Sequence, residues 1–193
     1  LKDQKTWAPK KFMGKELHGK TLGIVGLGRI GTIVAKRAKG FQMKVLVHDP
    51  FIPQEYAEKI GVETVKLPDL LKRSDYLSLH TPSLDGKPLL STKEFDMVKP
   101  GIRLVNCARG NLIDDEALIK AIKSKKVAQA ALDVYTKEPL PPDSPLLELD
   151  EIICTPHLGA STEEAQEKVA IDVANQIIDF LKNGNICNAV NMP

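Results

Sequence analysis

Residues 22–31 read Leu-Gly-Ile-Val-Gly-Leu-Gly-Arg-Ile-Gly, and the fold is decided there. Leu22 to Leu27 is a short apolar run closed by glycines, the pattern of a buried strand. From Ile30 to Lys39 the apolar residues Ile30, Val34 and Ala38 recur at every fourth position, which predicts a helix. Between them Gly26, Gly28 and Gly31 stand at G-x-G-x-x-G spacing. Alone that motif is weak. Between a strand and a helix each glycine has its own physical role. Gly26 makes the tight turn, Gly28 lets the backbone approach a pyrophosphate, and Gly31 lets helix and sheet pack closely. The helix start offers unpaired N–H groups and partial positive charge to phosphates.

Lys44 to His48 reads as the next strand, stopped by Asp49-Pro50. Asp49 lies 18 residues beyond Gly31, where a carboxylate can accept hydrogen bonds from the adenosine ribose hydroxyls. It would repel a 2′-phosphate, and no Arg or Lys follows it in Pro50-Phe51-Ile52-Pro53, so NAD is expected rather than NADP. Folds that bind S-adenosylmethionine also use glycine-rich turns and a ribose-binding acid, and the glycines leave that rival open.

The alternation continues outward. Pro68–Arg73 and Lys93–Val98 read as short helices, and Asp114–Lys126 as a longer one with Asp114, Asp115 and Glu116 at its positive end. Tyr76–His80, Ile102–Ala108, Ala128–Val134 and Ile152–Thr155 read as strands. The loop from Pro139 to Pro145 holds four prolines. Ser161 and Glu164 suggest a capping box for a last helix with Ala165, Val169, Val173, Ile177 and Leu181 along one stripe, ended by Gly184. Strands alternating with helices predict an α/β fold, a doubly wound parallel sheet of the Rossmann type. The expected division is a lead-in over 1–20, a cofactor domain over 21–184 and a departing segment over 185–193.

Composition agrees with an ordinary globular domain: 193 residues, 42% hydrophobic and 27% charged. A net charge of +2 gives no case for nucleic acid or an anionic membrane as the main partner. The first twenty residues hold six lysines, without the interleaved aromatics of a stacking platform, and read as a solvated lead-in. No apolar run approaches the roughly 18 residues of a membrane span. The three cysteines, Cys107, Cys154 and Cys187, are odd in number and widely spaced. That argues against a disulfide framework and a metal site and suits a reducing cytoplasm. The chain begins at Leu1 rather than Met, as a piece of something longer would.

Three polar residues fall at the ends of later strands, where doubly wound sheets bind ligands. Arg109 follows Leu104 to Ala108, Glu138 lies just beyond Ala131 to Tyr135, and His157 follows Ile152 to Pro156. An arginine can hold a carboxylate through two parallel hydrogen bonds. A histidine can take a hydroxyl proton near neutral pH, with a carboxylate beside it to orient the ring. Together they suit oxidation of a 2-hydroxy acid. Taken singly, each also reads as an ordinary loop residue.

The segments Gly26 to Gly31, Asn106-Cys107-Ala108-Arg109-Gly110, Ala131-Leu132-Asp133-Val134 and Pro156-His157-Leu158-Gly159-Ala160-Ser161-Thr162 resemble the D-isomer-specific 2-hydroxyacid dehydrogenases. The resemblance runs from about Trp7 to Asn191, and one departure is Asn111, where a second glycine is common. It implies that Arg109 binds the substrate carboxylate, that His157 is the acid/base and that Glu138 is its partner. It implies that Arg29 and Ile30 contact the pyrophosphate and Asp49 the ribose. Thr81, Cys107 and Asp133 would line the adenine-to-nicotinamide cleft, Asp133 near the carboxamide, and Ala108, Arg109, His157, Gly159 and Ala160 would also contact the cofactor. The implied substrate is a small D-2-hydroxy acid, with D-3-phosphoglycerate favoured over glycerate, glyoxylate or lactate. The family fold has a second, substrate-binding domain built mainly from an N-terminal segment, which is not in this sequence. Isolated, the cofactor domain is expected to bind NAD with little turnover. A homodimer or homotetramer joined through the cofactor domain is implied, with Trp7 at the contact. A rival of another class is an NAD-sensing interaction protein like the corepressors that resemble this family.

Overall fold

A computed structural model describes residues 7, 13–83 and 86–189. The expected lead-in apart from Trp7 and 13–20, and the departing segment beyond 189, lie outside the described residues. Seven strands form one parallel sheet: β1 (Thr21–Val25), β2 (Lys44–His48), β3 (Glu63–Thr64), β4 (Tyr76–Leu79), β5 (Ile102–Asn106), β6 (Val127–Leu132) and β7 (Ile152–Cys154). Their order is β3-β2-β1-β4-β5-β6-β7. The helices are α1 (Arg29–Gly40), α2 (Gln54–Ile60), α3 (Leu67–Arg73), α4 (Thr92–Met97), α5 (Asp115–Lys123) and α6 (Glu163–Asn183).

β1, β2 and β4 are apolar almost throughout because helices cover both faces there, whereas one face of β5–β7 leaves Arg103, Gln129 and Ile153 partly or largely exposed. On one face Leu22, Ile24, Val45 and Val47 pack with Ala35 and Ala38 of α1 and Ala57 of α2. On the other, Leu46, Leu77, Leu79 and Leu104 pack with Leu70 and Leu71 of α3, Phe95 of α4 and Leu118 of α5. Gly23 lets β1 approach α3 closely: a Cβ there would lie 2.3 Å from Ser74 Oγ and 2.6 Å from Leu70 Cδ2.

The strand order reverses at β1, between β2 and β4, so a crevice opens beyond the carboxyl ends of β1 and β4. This is the expected doubly wound sheet. Several details differ from the sequence-based expectation. In α1 the buried residues are Gly31, Thr32, Ala35 and Ala38, whereas Ile30 is exposed. Helix α2 and the two-residue β3 fill a stretch that carries no periodic signal. Ser91 and Glu94 make a capping box on α4. Helix α6 is capped by Thr162, whose hydroxyl accepts the Ala165 N–H, rather than by Ser161. Gly184 ends it in the left-handed conformation, as the sequence indicates. No residue of α6 is buried among the described residues, despite its apolar stripe. No helix among the described residues is long and apolar enough to cross a membrane.

Candidate active site

The glycine turn is built by close backbone contacts. Gly26 has φ +91° and donates its N–H to His48 O at 2.9 Å. A Cβ on Gly26 would meet His80 O at 2.6 Å and Thr81 N at 2.9 Å, so β1 turns directly against the end of β4. A Cβ on Gly31 would lie 2.1 Å from Gly26 O, which fixes the first turn of α1 on the sheet. Gly28 is different: nothing lies within 4 Å of its missing side chain. No side chain caps α1. Its first intrahelical bond is donated by Thr32 to Gly28 O, which leaves the preceding N–H groups, those of Arg29, Ile30 and Gly31, outside the helical ladder. An open space over uncapped N–H groups, with no acidic residue in the first turn, fits a pyrophosphate.

Asp49 closes the far side of this turn. Its Oδ2 accepts the Leu27 N–H at 2.7 Å and its Oδ1 the Phe51 N–H at 2.9 Å. The acid is thereby aimed by the glycine turn, and two of a carboxylate's roughly four acceptor sites remain for ribose hydroxyls. The residues present thus fit a dinucleotide from phosphate to ribose.

Cys107, Ala108 and Arg109 leave the end of β5 in a loop that Asn106 staples. Buried Asn106 donates from Nδ2 to Arg109 O at 2.9 Å and accepts the Ala108 N–H on Oδ1 at 3.1 Å. Gly110 then presses on the neighbouring loop, since a Cβ there would lie 1.9 Å from the Tyr135 carbonyl carbon. Arg109 itself is exposed, its Nη1 donating to Ala108 O at 2.6 Å. Partial burial first, and then the Asp133 carboxylate, push the Cys107 thiol up, so it stays neutral.

His157 and Glu138 meet across two loops. His157 Nδ1 lies 2.8 Å from Glu138 Oε2, while Glu138 Oε1 accepts the Tyr135 N–H at 3.0 Å. These two bonds, His157 first, hold the Glu138 carboxyl below its ordinary range. Ionised, Glu138 only accepts, so His157 Nδ1 carries the hydrogen of that bond, and Nε2 is the ring nitrogen that it leaves free of Glu138. His157 sits at φ 55°, a left-handed backbone that a side chain rarely adopts. Asp133, only 5% exposed, accounts for how that loop is held. Its Oδ1 accepts the Thr155 hydroxyl at 2.5 Å and the Leu158 N–H at 2.8 Å, one bond on each side of His157. Burial opposes its charge, but Thr155, the Leu158 and Gly159 N–H groups and His157 together lower its pKa. Tyr135 adds a further tie, its hydroxyl reaching Leu132 O at 3.0 Å and Thr155 O at 2.9 Å.

Arg109, Glu138 and His157 line one cleft of about 540 Å³, with Asn111 on its wall. Glu138 and His157 also border a more apolar hollow of about 690 Å³ formed by Leu140, Leu147 and Cys154. Arg109 is absent from that hollow, so only the first cleft holds the whole set. Thr81 follows β4 beside Gly26, and Gly159 and Ala160 follow His157 toward α6, Ala160 O accepting Gln166 Nε2 at 2.9 Å. Trp7 is exposed. Sequence reasoning misses the staples Asn106 and Thr155, although each is a polar residue closing an apolar strand.

The family model for the NAD binding domain of D-isomer specific 2-hydroxyacid dehydrogenases matches residues 1–159. A D-3-phosphoglycerate dehydrogenase of Archaeoglobus fulgidus is 50% identical over 188 residues, 97% of this chain and 36% of that protein. One from Bacillus subtilis is 46% identical over 188 residues, again 97% of this chain and 36% of that protein. The crystal structure of a glyoxylate reductase from Paecilomyes thermophila superposes with a TM-score of 0.84 at 36% identity, covering 93% of this chain and 54% of that one. The chain spans about a third of the length of the curated relatives it matches. A parallel sheet with a glycine turn shaped for a dinucleotide, matched over this length, means that the chain belongs to the D-isomer specific 2-hydroxyacid dehydrogenases and carries their NAD-binding domain.

Proposed function

We propose that these residues are the cofactor half of a dehydrogenase that oxidises D-3-phosphoglycerate to 3-phosphohydroxypyruvate, the entry step of serine synthesis. The observation that carries the chemistry is the His157–Glu138 contact of 2.8 Å on the cleft that also holds Arg109. The substrate rests on the relatives, which are 50% and 46% identical and are named for that acid.

Arg109 holds the substrate carboxylate through its guanidinium fork, after releasing the Ala108 carbonyl. His157 Nε2 takes the proton of the C2 hydroxyl, and the Glu138 carboxylate stabilises the imidazolium that forms. A bound NAD would supply the acceptor for the hydride that leaves C2. Gly26, Gly28 and Gly31 with the backbone of Arg29 and Ile30 hold the pyrophosphate, and Asp49 holds the ribose and disfavours NADP. Thr81, Cys107, Ala108, Asp133, Gly159 and Ala160 wall the path to the nicotinamide. The domain runs over 21–184, with 1–20 leading in and 185–193 leading out. Cofactor domains pair to make the oligomer, Trp7 at the contact. Alone, the 193 residues bind NADH with little turnover, because Arg109 and His157 lie in an open cleft.

The test is His157→Asn in a protein carrying the substrate-binding part as well. Turnover of D-3-phosphoglycerate falls by about 10²–10⁴-fold while NADH affinity is kept. Unchanged turnover rejects the assignment. A panel of glycerate, glyoxylate, lactate and phosphoglycerate separates the substrate from the chemistry. The likeness to a glyoxylate reductase makes glyoxylate the rival to include first.

A further inference from the structure

The lysines of the lead-in do not all face open solvent. At the amino ends of the strands, Lys15, Lys20, Lys99 and Arg103 line a hollow of about 160 Å³ with Asp75 and Tyr76. Four bases and one acid line this hollow, so its own lining is net positive. Asp75 and Lys99 satisfy each other at 2.7 Å, and Asp75 also accepts the Thr21 N–H at 2.9 Å. Lys15, Lys20 and Arg103 have no ion-pair partner among the described residues.

Arg103 is held in place rather than free. Its Cζ lies 5.7 Å from the centroid of the Tyr76 ring, and its Nε donates to Gln129 Oε1 at 3.2 Å. That fixes the guanidinium plane while its two terminal nitrogens keep no partner among the described residues. A fixed fork flanked by two lysines is the donor set that matches a tetrahedral oxyanion. The volume suits a single phosphoryl group rather than a dinucleotide. Lys15 and Arg103 also line an adjoining hollow with Gln129, Asp150 and Glu151, whose two carboxylates offset part of this positive charge. The glycine turn is at the other end of β1, about 13–16 Å away at a strand's rise per residue.

We propose that this hollow binds a phosphate-type oxyanion, free or carried by a small metabolite, at a site separate from the cofactor's own phosphates. It does not depend on the reading of the catalytic cleft.

The test titrates inorganic phosphate into the NADH-saturated chain at constant ionic strength, with chloride as the balancing anion, followed by calorimetry. NADH fills the helix end at Gly28, so that site cannot report. The expected result is saturable binding that Arg103→Gln weakens by about tenfold or more, with NADH affinity unchanged. The double variant Lys15→Gln, Lys20→Gln weakens it in the same direction, and decides the matter should Arg103→Gln melt early. Glycerol phosphate distinguishes the sources: binding as tight as phosphate assigns a phosphorylated metabolite, weaker binding assigns the free ion. No saturation above the chloride control, or full binding by the folded variants, overturns the proposal.

Discussion

Asp133→Asn probes the join between fold and chemistry. The carboxylate is nearly inaccessible and accepts Thr155 and Leu158 through one oxygen, so the backbone on both sides of His157 hangs from it. Asparagine keeps an oxygen for those donors but loses the charge and turns an N–H₂ toward the Gly159 side. Hydrogen bonds to a charged group are worth about 1.5–3 kcal/mol against about 1 for neutral ones. Two such bonds weakened, partly offset by the lower cost of burying an amide, give a loss of about 1–3 kcal/mol. At a urea slope of about 2 kcal/mol/M the midpoint falls by roughly 0.5–1.5 M. The folded pKa of Asp133 is depressed, so its contribution is present above the unfolded value of about 3.9 and is lost as pH falls through the folded one. Urea melts of both chains should therefore be well separated at pH 7 and converge below about pH 4. Because His157 holds a left-handed backbone worth about 1–2 kcal/mol of strain, the loop is also expected to relax, with loss of turnover in the two-part protein. Equal midpoints at pH 7, or a separation that does not shrink in acid, would refute the assignment of Asp133 as the anchor.

Three further variants test neighbouring joints. Glu138→Gln keeps an acceptor for His157 but removes the charge that stabilises the imidazolium, so turnover should fall by less than in His157→Asn, with NADH affinity unchanged; an equal or larger fall would mean that Glu138 does more than assist the ring. Gly110→Ala forces a Cβ to within 1.9 Å of the Tyr135 carbonyl carbon, which should cost about 1–3 kcal/mol in a thermal melt and raise KM for the hydroxy acid by moving Arg109; an unchanged melt would show that the loop yields freely. Asp49→Asn should narrow the ratio of NADH to NADPH affinity by roughly tenfold as the repulsion of a 2′-phosphate is removed, and a constant ratio in paired titrations would place discrimination elsewhere.

The half of the fold around β1 is legible in the sequence because its constraints are local. Strands covered on both faces read as apolar runs, and the glycine turn joins β1 to α1 within a few residues, Gly31 against Gly26. The misses have equally physical causes. Helix α2 buries only Ala57 fully, so Gln54–Ile60 carries almost no hydrophobic period, and both residues of β3 are exposed. At α6 the order Ser161-Thr162-Glu163-Glu164 offers two hydroxyls in succession, and the chain uses the second as the cap. The stripe of α6 sets which residues share a face, but none of it is buried among the described residues.

The candidate catalytic residues are legible for a different reason from the groups that position them. In a parallel sheet every strand ends on the same side, so polar residues just past β5, β6 and β7 converge however far apart they lie in sequence. Arg109, Glu138 and His157 need only that rule. Asp133 reaches across 22 residues to Thr155 and 25 to Leu158, and those pairings depend on the register of β6 on β7. No spacing encodes that register. The resemblance implies a place for Asp133 near the nicotinamide; the geometry shows it holding the loop that carries His157. On the proposed function, in which His157 is the proton acceptor, Asp133 would couple the fold's stability to it, so the acid melt of Asp133→Asn and the turnover of His157→Asn interrogate one device.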